Sequence, residues 1–127
     1  MDTASEYMKE HSKMATKSLS IAKDFSEFPA GRIPDDGPNS GQRFRDDYLA
    51  PALKDAIKNS DIVEVNLDGT MGYGSSFLDE AFGGLVREHG LNKDDIFRCL
   101  NISDNRVIYK KLALRYIEEE QERAQKK

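Results

Sequence analysis

Residues 61–69, with the sequence DIVEVNLDG, constrain the fold more than any other segment because their side chains alternate as in a half-buried strand. One face of this strand is entirely apolar and carries Val63, Val65 and Leu67. The stretch GYGSSFLDEAFGGLV follows at residues 72–86, and its apolar residues recur at helical spacing. The pattern therefore predicts a strand, a glycine-rich loop and a helix from about Ser75 to Glu88.

Strand and helix patterns alternate along the rest of the chain. A weak strand is predicted at residues 18–22, a short extended piece near Arg32 and Ile33, and a strong amphipathic helix after a cap at Asn39 or Ser40. A further strand is predicted at residues 95–103, followed by a helix capped by Ser103 or Asp104 and ending near Glu119. The predicted order β-β-α-β-α-β-α indicates an α/β fold with a mixed or parallel sheet and helices packed on it.

The sequence makes specific predictions for four residues within these elements. Pro51 is expected to kink its helix or remove one backbone hydrogen bond. Gly83 and Gly84 lower helix propensity by about 1 kcal/mol each relative to alanine, which indicates close packing at that point. Cys99 is expected to be a buried, unreactive thiol in a strand.

Charge and composition narrow the classes of function. The 127 residues have a net charge of −4, so the chain lacks the overall basic charge of nucleic-acid-binding proteins. No apolar run approaches the ~20 residues that span a bilayer, and the N-terminus has no secretory signal. A single cysteine fits a reducing compartment. We therefore expect a cytoplasmic protein that binds neither nucleic acid nor membrane and uses no metal or cofactor.

The chain divides into three predicted regions. Residues 1–16 form a polar N-terminal arm, residues 17–119 form one domain, and residues 120–127 form a charged C-terminal tail. The sequence leaves a homodimer open.

Ser75 and Ser76 raise the question of function. The elbow pattern Gly-x-Ser-x-Gly fails after Ser76, and His89 lies roughly 20 Å along the same helix, so a hydrolase is disfavoured. No lysine precedes the serines, so a P-loop is absent, although residues 72–76 could hold an anion at a helix start. The simplest interpretation makes Ser75 the N-cap of the helix.

Other residues surround the Pro/Gly-rich turn at residues 24–41. Arg32, Arg43 and Arg45 could receive a phosphate or a partner carboxylate, or they could pair with nearby aspartates. Phe25 and Phe28 are expected to cover the core, whereas an exposed pair would make a docking patch.

The derived order resembles the STAS domain of anti-sigma factor antagonists and sulfate transporters. The segment VEVNLDGTMGYGSSFLDEAFGGLV is similar to that family's strand, loop and Asp-Ser-Ser-Gly helix start. More closely, DFSEFPAGR, SGQRFR and SSFLDEAFGGLVRE resemble a STAS-like family of unknown function found in bacteria. The resemblance covers roughly residues 18–117.

The resemblance implies a non-enzymatic regulatory module that binds a protein partner, such as an ATPase or kinase. In anti-sigma factor antagonists a partner kinase phosphorylates the first serine, which matches Ser75, with Ser76 beside it. Two positions depart from that motif, because Gly74 replaces the aspartate and Phe77 replaces the glycine. The expected contact surface includes Gly72, Tyr73, Gly74 and Phe77. The alternative is a nucleotide or small-anion sensor that uses the Gly72–Ser76 loop.

Overall fold

The computed structural model describes residues 15–126, so most of the predicted N-terminal arm lies outside the described residues. Three strands are present: β1 (Thr16–Ser20), β2 (Ile62–Asn66) and β3 (Leu100–Ser103). Helix α1 covers residues 41–59, and helix α2 covers residues 75–87. Helices α3 (Lys93–Cys99) and α4 (Ile108–Gln125) complete the order β1-α1-β2-α2-α3-β3-α4.

The sheet is parallel in both of its pairings, with β2 between β1 and β3. Leu19, Val65 and Ile102 lie side by side in register. The α/β class is thus confirmed, but a mixed sheet is wrong for the described residues. Parallel neighbours need long crossover connections, which the intervening helices provide.

The predicted strand near Arg32 and Ile33 is wrong. A short 3-10 turn, Pro34–Asp36, follows these residues, and the Asp36 carboxylate accepts hydrogen bonds from the backbone N–H groups of Arg32 (2.9 Å) and Ile33 (3.2 Å). Because these donors are satisfied locally, the segment does not need a neighbouring strand.

The predicted faces of β2 are confirmed. Val63, Val65 and Leu67 are fully buried, whereas Glu64 and Asn66 are exposed. The apolar face packs on the helices, and the core includes the aromatic rings of Phe44, Phe77 and Phe82.

Helix α1 begins as predicted, with the Ser40 hydroxyl accepting from the Arg43 N–H at 3.2 Å. Its middle turn, Arg45–Leu49, is π-helical, and the Ala50 N–H bonds to the Arg45 carbonyl five residues back. Pro51 follows directly and can donate no backbone hydrogen bond. The wider π-helical turn is the local change in the helix that Pro51 was predicted to cause, as a kink or as a lost backbone hydrogen bond.

Residues 95–103 are not one strand. The first part is helix α3, and only Leu100–Ser103 is extended. The Asn92 side chain accepts from the N–H groups of Asp94 (2.7 Å) and Asp95 (3.4 Å), which caps the helix. Two acidic residues in the first turn add favourable charge. Cys99 therefore ends a helix, although it is buried as predicted, with 1% exposure.

Helix α4 extends beyond the predicted end at Glu119 and reaches Gln125. The prediction that Ser103 or Asp104 is its N-cap is wrong, because the N-cap is Val107. The Asp104 carboxylate nevertheless accepts from the first-turn N–H groups of Tyr109 (2.9 Å) and Lys110 (3.0 Å). Glu120 is buried and bonds to Arg87 at 2.8 Å, which anchors the last turns against α2. The predicted tail thus begins inside a packed helix.

Candidate functional site

The start of α2 differs from the expected arrangement by one residue. Gly74 has the extended backbone of an N-cap, with φ −77° and ψ 157°, and Ser75 is the first helical residue. The prediction that Ser75 caps the helix is therefore wrong. Ser75 and Ser76 are exposed, and neither hydroxyl has a hydrogen-bond partner among residues 15–126. Both side chains are thus available to solvent.

Tyr73 anchors the loop before the serines to the protein interior. Its hydroxyl donates to the Leu67 carbonyl at 2.7 Å, and only 9% of the residue is exposed. Burial raises the pKa of Tyr73 to about 12, so the phenol stays protonated and keeps donating. Gly72 has φ 128°, which residues with side chains rarely adopt, and it turns the chain above Tyr109. Tyr73 therefore supports the site from inside and is not a surface contact.

Phe77 is fully buried, which contradicts its predicted role as a partner contact. Its ring lies 6.2 Å from that of Phe44 and 5.7 Å from that of Tyr73. A helix residue two positions after an exposed serine points to the opposite side, toward the core. The phenylalanine that replaces the motif's glycine thus fills the interface between α1 and α2.

The three arginines do not form an open phosphate cluster. Arg32 pairs with Asp79 at 2.8 Å, and Arg43 donates to the Pro38 carbonyl at 2.8 Å. Arg45 is buried and bonds to both the Glu80 carboxylate and the Glu80 carbonyl. Each guanidinium is thus bound within the protein.

These ion pairs join into a network that the sequence did not reveal. Arg45 contacts Oε2 of the Glu80 carboxylate, whereas Arg32 at 3.5 Å and Arg87 of the same helix at 3.7 Å approach Oε1. Arg87 also bonds to Glu120 of α4 at 2.8 Å. Gly84 allows this packing, since a side chain there would collide with the Arg45 guanidinium. The paired glycines at residues 83–84 were the sequence signal for close packing, but not for a charge.

His89 lies beyond the end of α2 and contacts Asp46 of α1, with Nε2 2.8 Å from Oδ1. Burial raises the pKa of Asp46, but hydrogen bonds from His89 and Arg45 lower it more, so the net pKa falls below its usual value. His89 therefore pairs with a carboxylate and belongs to the charge network that joins α1 and α2.

Four exposed apolar residues surround the loop that leads to the serines, and we name them the apolar rim: Phe28, Met71, Val107 and Ile108. Met71 is 81% exposed, and its N–H bonds to the Glu27 carbonyl at 3.0 Å, which holds Phe28 nearby. Arg106 reaches the Thr70 carbonyl at 3.3 Å and so joins the other two residues to the loop. Phe28 is the exposed half of the predicted phenylalanine pair, whereas Phe25 packs against the core.

Val107 of the apolar rim has an unusual backbone conformation. This β-branched residue has φ 68°, and the Ile108 N–H bonds to the Arg106 carbonyl at 2.8 Å across it. This tight three-residue turn is rare and strained. Arg106 stabilises this strained turn, because its guanidinium donates to the Leu67 carbonyl at 2.8 Å and stacks over the Tyr109 ring. Strained residues of this kind concentrate at functional sites.

Within residues 15–126, no group of three or more His, Cys, Asp or Glu residues is arranged to hold a metal ion. In the same range no helix has the length and apolarity required to cross a bilayer.

Comparison with known protein families gives one match. The family model of a STAS-like domain of unknown function, DUF4325, matches residues 40–109, which is more than half of the chain. The chain belongs to this family. The match confirms the predicted resemblance and includes α1, β2, α2, α3 and β3. No curated protein matches, and no solved structure does.

The match contains the whole candidate site except its two outlying residues. Residues 72–77 and both Arg43 and Arg45 lie inside it, whereas Phe28 and Arg32 precede it. As a STAS-like domain of unknown function, the family is not a known enzyme family, and its STAS-like character suggests a regulatory module.

Proposed function

We propose that this protein is a non-enzymatic regulatory module that binds a protein partner through the exposed start of α2 and the apolar rim. The observation that carries the proposal is that two exposed serines lie four and five residues after Met71, the most exposed large apolar side chain between residues 15 and 126. An exposed apolar group beside polar hydroxyls is typical of a protein-docking surface. The partner class that the STAS resemblance favours is an ATPase or kinase.

Phosphorylation of Ser75 would suit such a surface as a switch. The first turn of a helix favours negative charge, so a phosphate on the first helical residue is compatible with folding. The same charge must lose water when an apolar partner surface docks next to it, which weakens the complex. Ser76, also exposed, is the second candidate acceptor.

The switch is tested with two variants of Ser75, compared with the wild type. Ser75→Asp should keep the thermal midpoint and weaken partner binding, whereas Ser75→Ala should preserve both. Binding is measured by titration against the purified partner, and circular dichroism checks the fold. If the Asp and Ala variants bind with equal affinity, the switch is wrong even where the partner is genuine.

A small-anion or nucleotide sensor is the second candidate. It is favoured by Gly74, because an N-cap without a side-chain oxygen leaves first-turn N–H groups free for a ligand. The internal pairing of Arg32, Arg43 and Arg45 counts against it. A true ligand raises the thermal midpoint increasingly with concentration. No shift at millimolar ATP, GTP or phosphate would exclude the sensor.

A further inference from the structure

A cavity of about 450 Å³ opens between α1 and α2, where the charge network joins the two helices. Arg45 and Asp46 line it from α1, and Glu80 lines it from α2. Both helices widen to a π-helical turn at these residues, Arg45–Leu49 in α1 and Asp79–Gly83 in α2. Turns of this kind occur often at functional sites, and the cavity has the size of a small-molecule site.

Arg45 brings an unpaired hydrogen-bond donor to this cavity. Its side chain is 4% exposed, and its Nε and Nη1 atoms donate to Asp46 and Glu80. The remaining nitrogen, Nη2, forms no hydrogen bond with any residue between 15 and 126. Because every fully buried side-chain nitrogen or oxygen in that range has a partner, Nη2 must contact solvent. This donor therefore needs an acceptor from water or from a ligand.

Unpaired acceptors lie beside that donor. The Asp46 Oδ1 atom contacts Arg45 Nε at 2.9 Å and His89 Nε2 at 2.8 Å, whereas Oδ2 has no hydrogen-bond partner among the described residues. The Glu88 carboxylate, which also lines the cavity, has within residues 15–126 one ion pair, a long contact of 3.8 Å to Arg87. Since Nε and Nη2 belong to one guanidinium, the unpaired donor and the unpaired Asp46 oxygen are only a few ångströms apart.

The charges that line the cavity favour one class of ligand. The carboxylates of Asp46, Glu80 and Glu88 outnumber the single guanidinium of Arg45, so a ligand with net negative charge is opposed. A simple amine would pair with the carboxylates but leave Nη2 to water. A molecule that carries a carboxylate and an ammonium group a few ångströms apart provides a partner for both.

We infer that this cavity binds a free α-amino acid, whose carboxylate accepts from Arg45 Nη2 and whose ammonium group donates to Asp46 and Glu88. The exposed side chain of Ile33 borders the cavity and offers an apolar contact to the ligand's side chain.

The cavity is separate from the proposed docking surface, because none of its lining residues belongs to the apolar rim or to the start of α2 at Ser75 and Ser76. The amino-acid site does not depend on the proposed function, and either can fail alone.

Thermal unfolding of the full chain with each protein amino acid at millimolar concentration tests the inference. At least one amino acid should raise the midpoint increasingly with concentration. Its amide, which lacks the carboxylate, and its N-acetyl derivative, which lacks the ammonium group, should give no shift.

Calorimetric titration of the variants with that amino acid locates the site. Glu88→Gln should weaken binding about tenfold, because the ammonium group loses a charged acceptor. Glu118→Gln is the matched control, since Glu118 is an exposed carboxylate on α4 outside the cavity, and it should bind as the wild type does. Circular dichroism confirms that both variants are folded.

The inference is overturned if no amino acid shifts the midpoint at millimolar concentration. It is also overturned if the amide or the N-acetyl derivative shifts the midpoint as much as the amino acid does, because the site would then recognise only one of the two charged groups. An affinity that Glu88→Gln leaves unchanged would place any binding outside this cavity and overturn it as well.

Discussion

Arg45 is the residue on which the packing of α1 against α2 most depends. Its side chain is 4% exposed, and its guanidinium bonds to Glu80, which is itself buried. Desolvating two charges is costly, so such a pair adds little net stability, but removal of one partner leaves the other charge buried. Arg32 and Arg87 lie near Glu80 but farther away, at 3.5 and 3.7 Å, and compensate only in part.

Arg45→Met should therefore lower the free energy of unfolding by about 3 kcal/mol. Arg43→Met is the matched control on the same helix, because the Arg43 side chain is 42% exposed. The control should cost less than about 1 kcal/mol. Urea unfolding followed by circular dichroism measures both. Equal costs for the two variants would contradict a structural role for the buried charge.

Substitutions of Phe77 and Met71 should distinguish a core residue from a residue of the proposed docking surface. Phe77→Ala should lower the free energy of unfolding by about 3–5 kcal/mol, because it opens a cavity among packed aromatic rings. Met71→Ala should change it by less than about 0.5 kcal/mol, since Met71 is 81% exposed. The same unfolding measurement distinguishes them, and a stable Phe77→Ala protein would show that the ring is not in the core.

At the residue scale the sequence predicted that Ser75 and Ser76 lie at the start of α2, but not which residue caps the helix. A cap and a first helical residue differ only in backbone angles, and Gly-Ser-Ser allows either residue to be the cap. The buried position of Phe77 could have been read from its spacing to Ala81 and Leu85, which share its face. The charge network could not have been predicted from spacing, because the residues that pair with one another in it come from separate elements.

At the element scale, the end of α1 carries a strained cap. Ser60 has φ 59° and ψ 38°, the left-handed conformation, and its N–H bonds to the Ala56 carbonyl. This conformation costs a residue with a Cβ about 1–2 kcal/mol, whereas it costs glycine nothing. A glycine at this position would remove that cost, but part of the stability so gained is lost because glycine is more flexible in the unfolded chain.

Ser60→Gly should thus raise the free energy of unfolding by about 0.5 kcal/mol. Ser60→Ala serves as the control and should give no gain, since alanine keeps the strain. A thermal melt of the three proteins measures the order. A lower midpoint for the glycine variant would contradict the strained cap.

Elements with a regular apolar pattern were predicted well, and those without one were not. The positions of α1 and α2 follow from apolar residues repeated over several turns, and the position of the short strand β2 follows from strict alternation of apolar and polar residues. The segment DIFRCLNIS, residues 95–103, is too short for its apolar spacing to distinguish one strand from the end of a helix followed directly by a strand. Its cap, Asn92, lies three residues upstream, and Asp94–Asp95 supplied the overlooked signal of a helix start.

At the scale of the whole molecule, the carboxylate of Asp46 joins α1 to His89 beyond the end of α2. Its pKa in the folded protein is lower than usual, so the ionised form stabilises the fold. This stabilisation is fully present above the unfolded pKa of about 4 and is lost as pH falls through the lower folded value.

Asp46→Asn should therefore flatten the acid limb of the stability curve. Between about pH 5 and pH 3, wild type should lose more free energy of unfolding than the variant does. Asp47→Asn, at a more exposed neighbour, is the control and should keep the wild-type slope. Urea unfolding at each pH provides the comparison. Parallel slopes for wild type and Asp46→Asn would show that this contact carries no pH dependence.

We propose above that the apolar rim and the start of α2 bind one protein partner. The most direct test is a quantitative pull-down with mass spectrometry, using wild type, Met71→Asp, Ser75→Asp and the control Ile33→Asp. Ile33 is also an exposed apolar residue, but it lies in a groove beside Arg45. We expect a partner that wild type and Ile33→Asp retain, Met71→Asp loses and Ser75→Asp holds weakly. Equal recovery of the same proteins by all four would contradict the proposed docking surface.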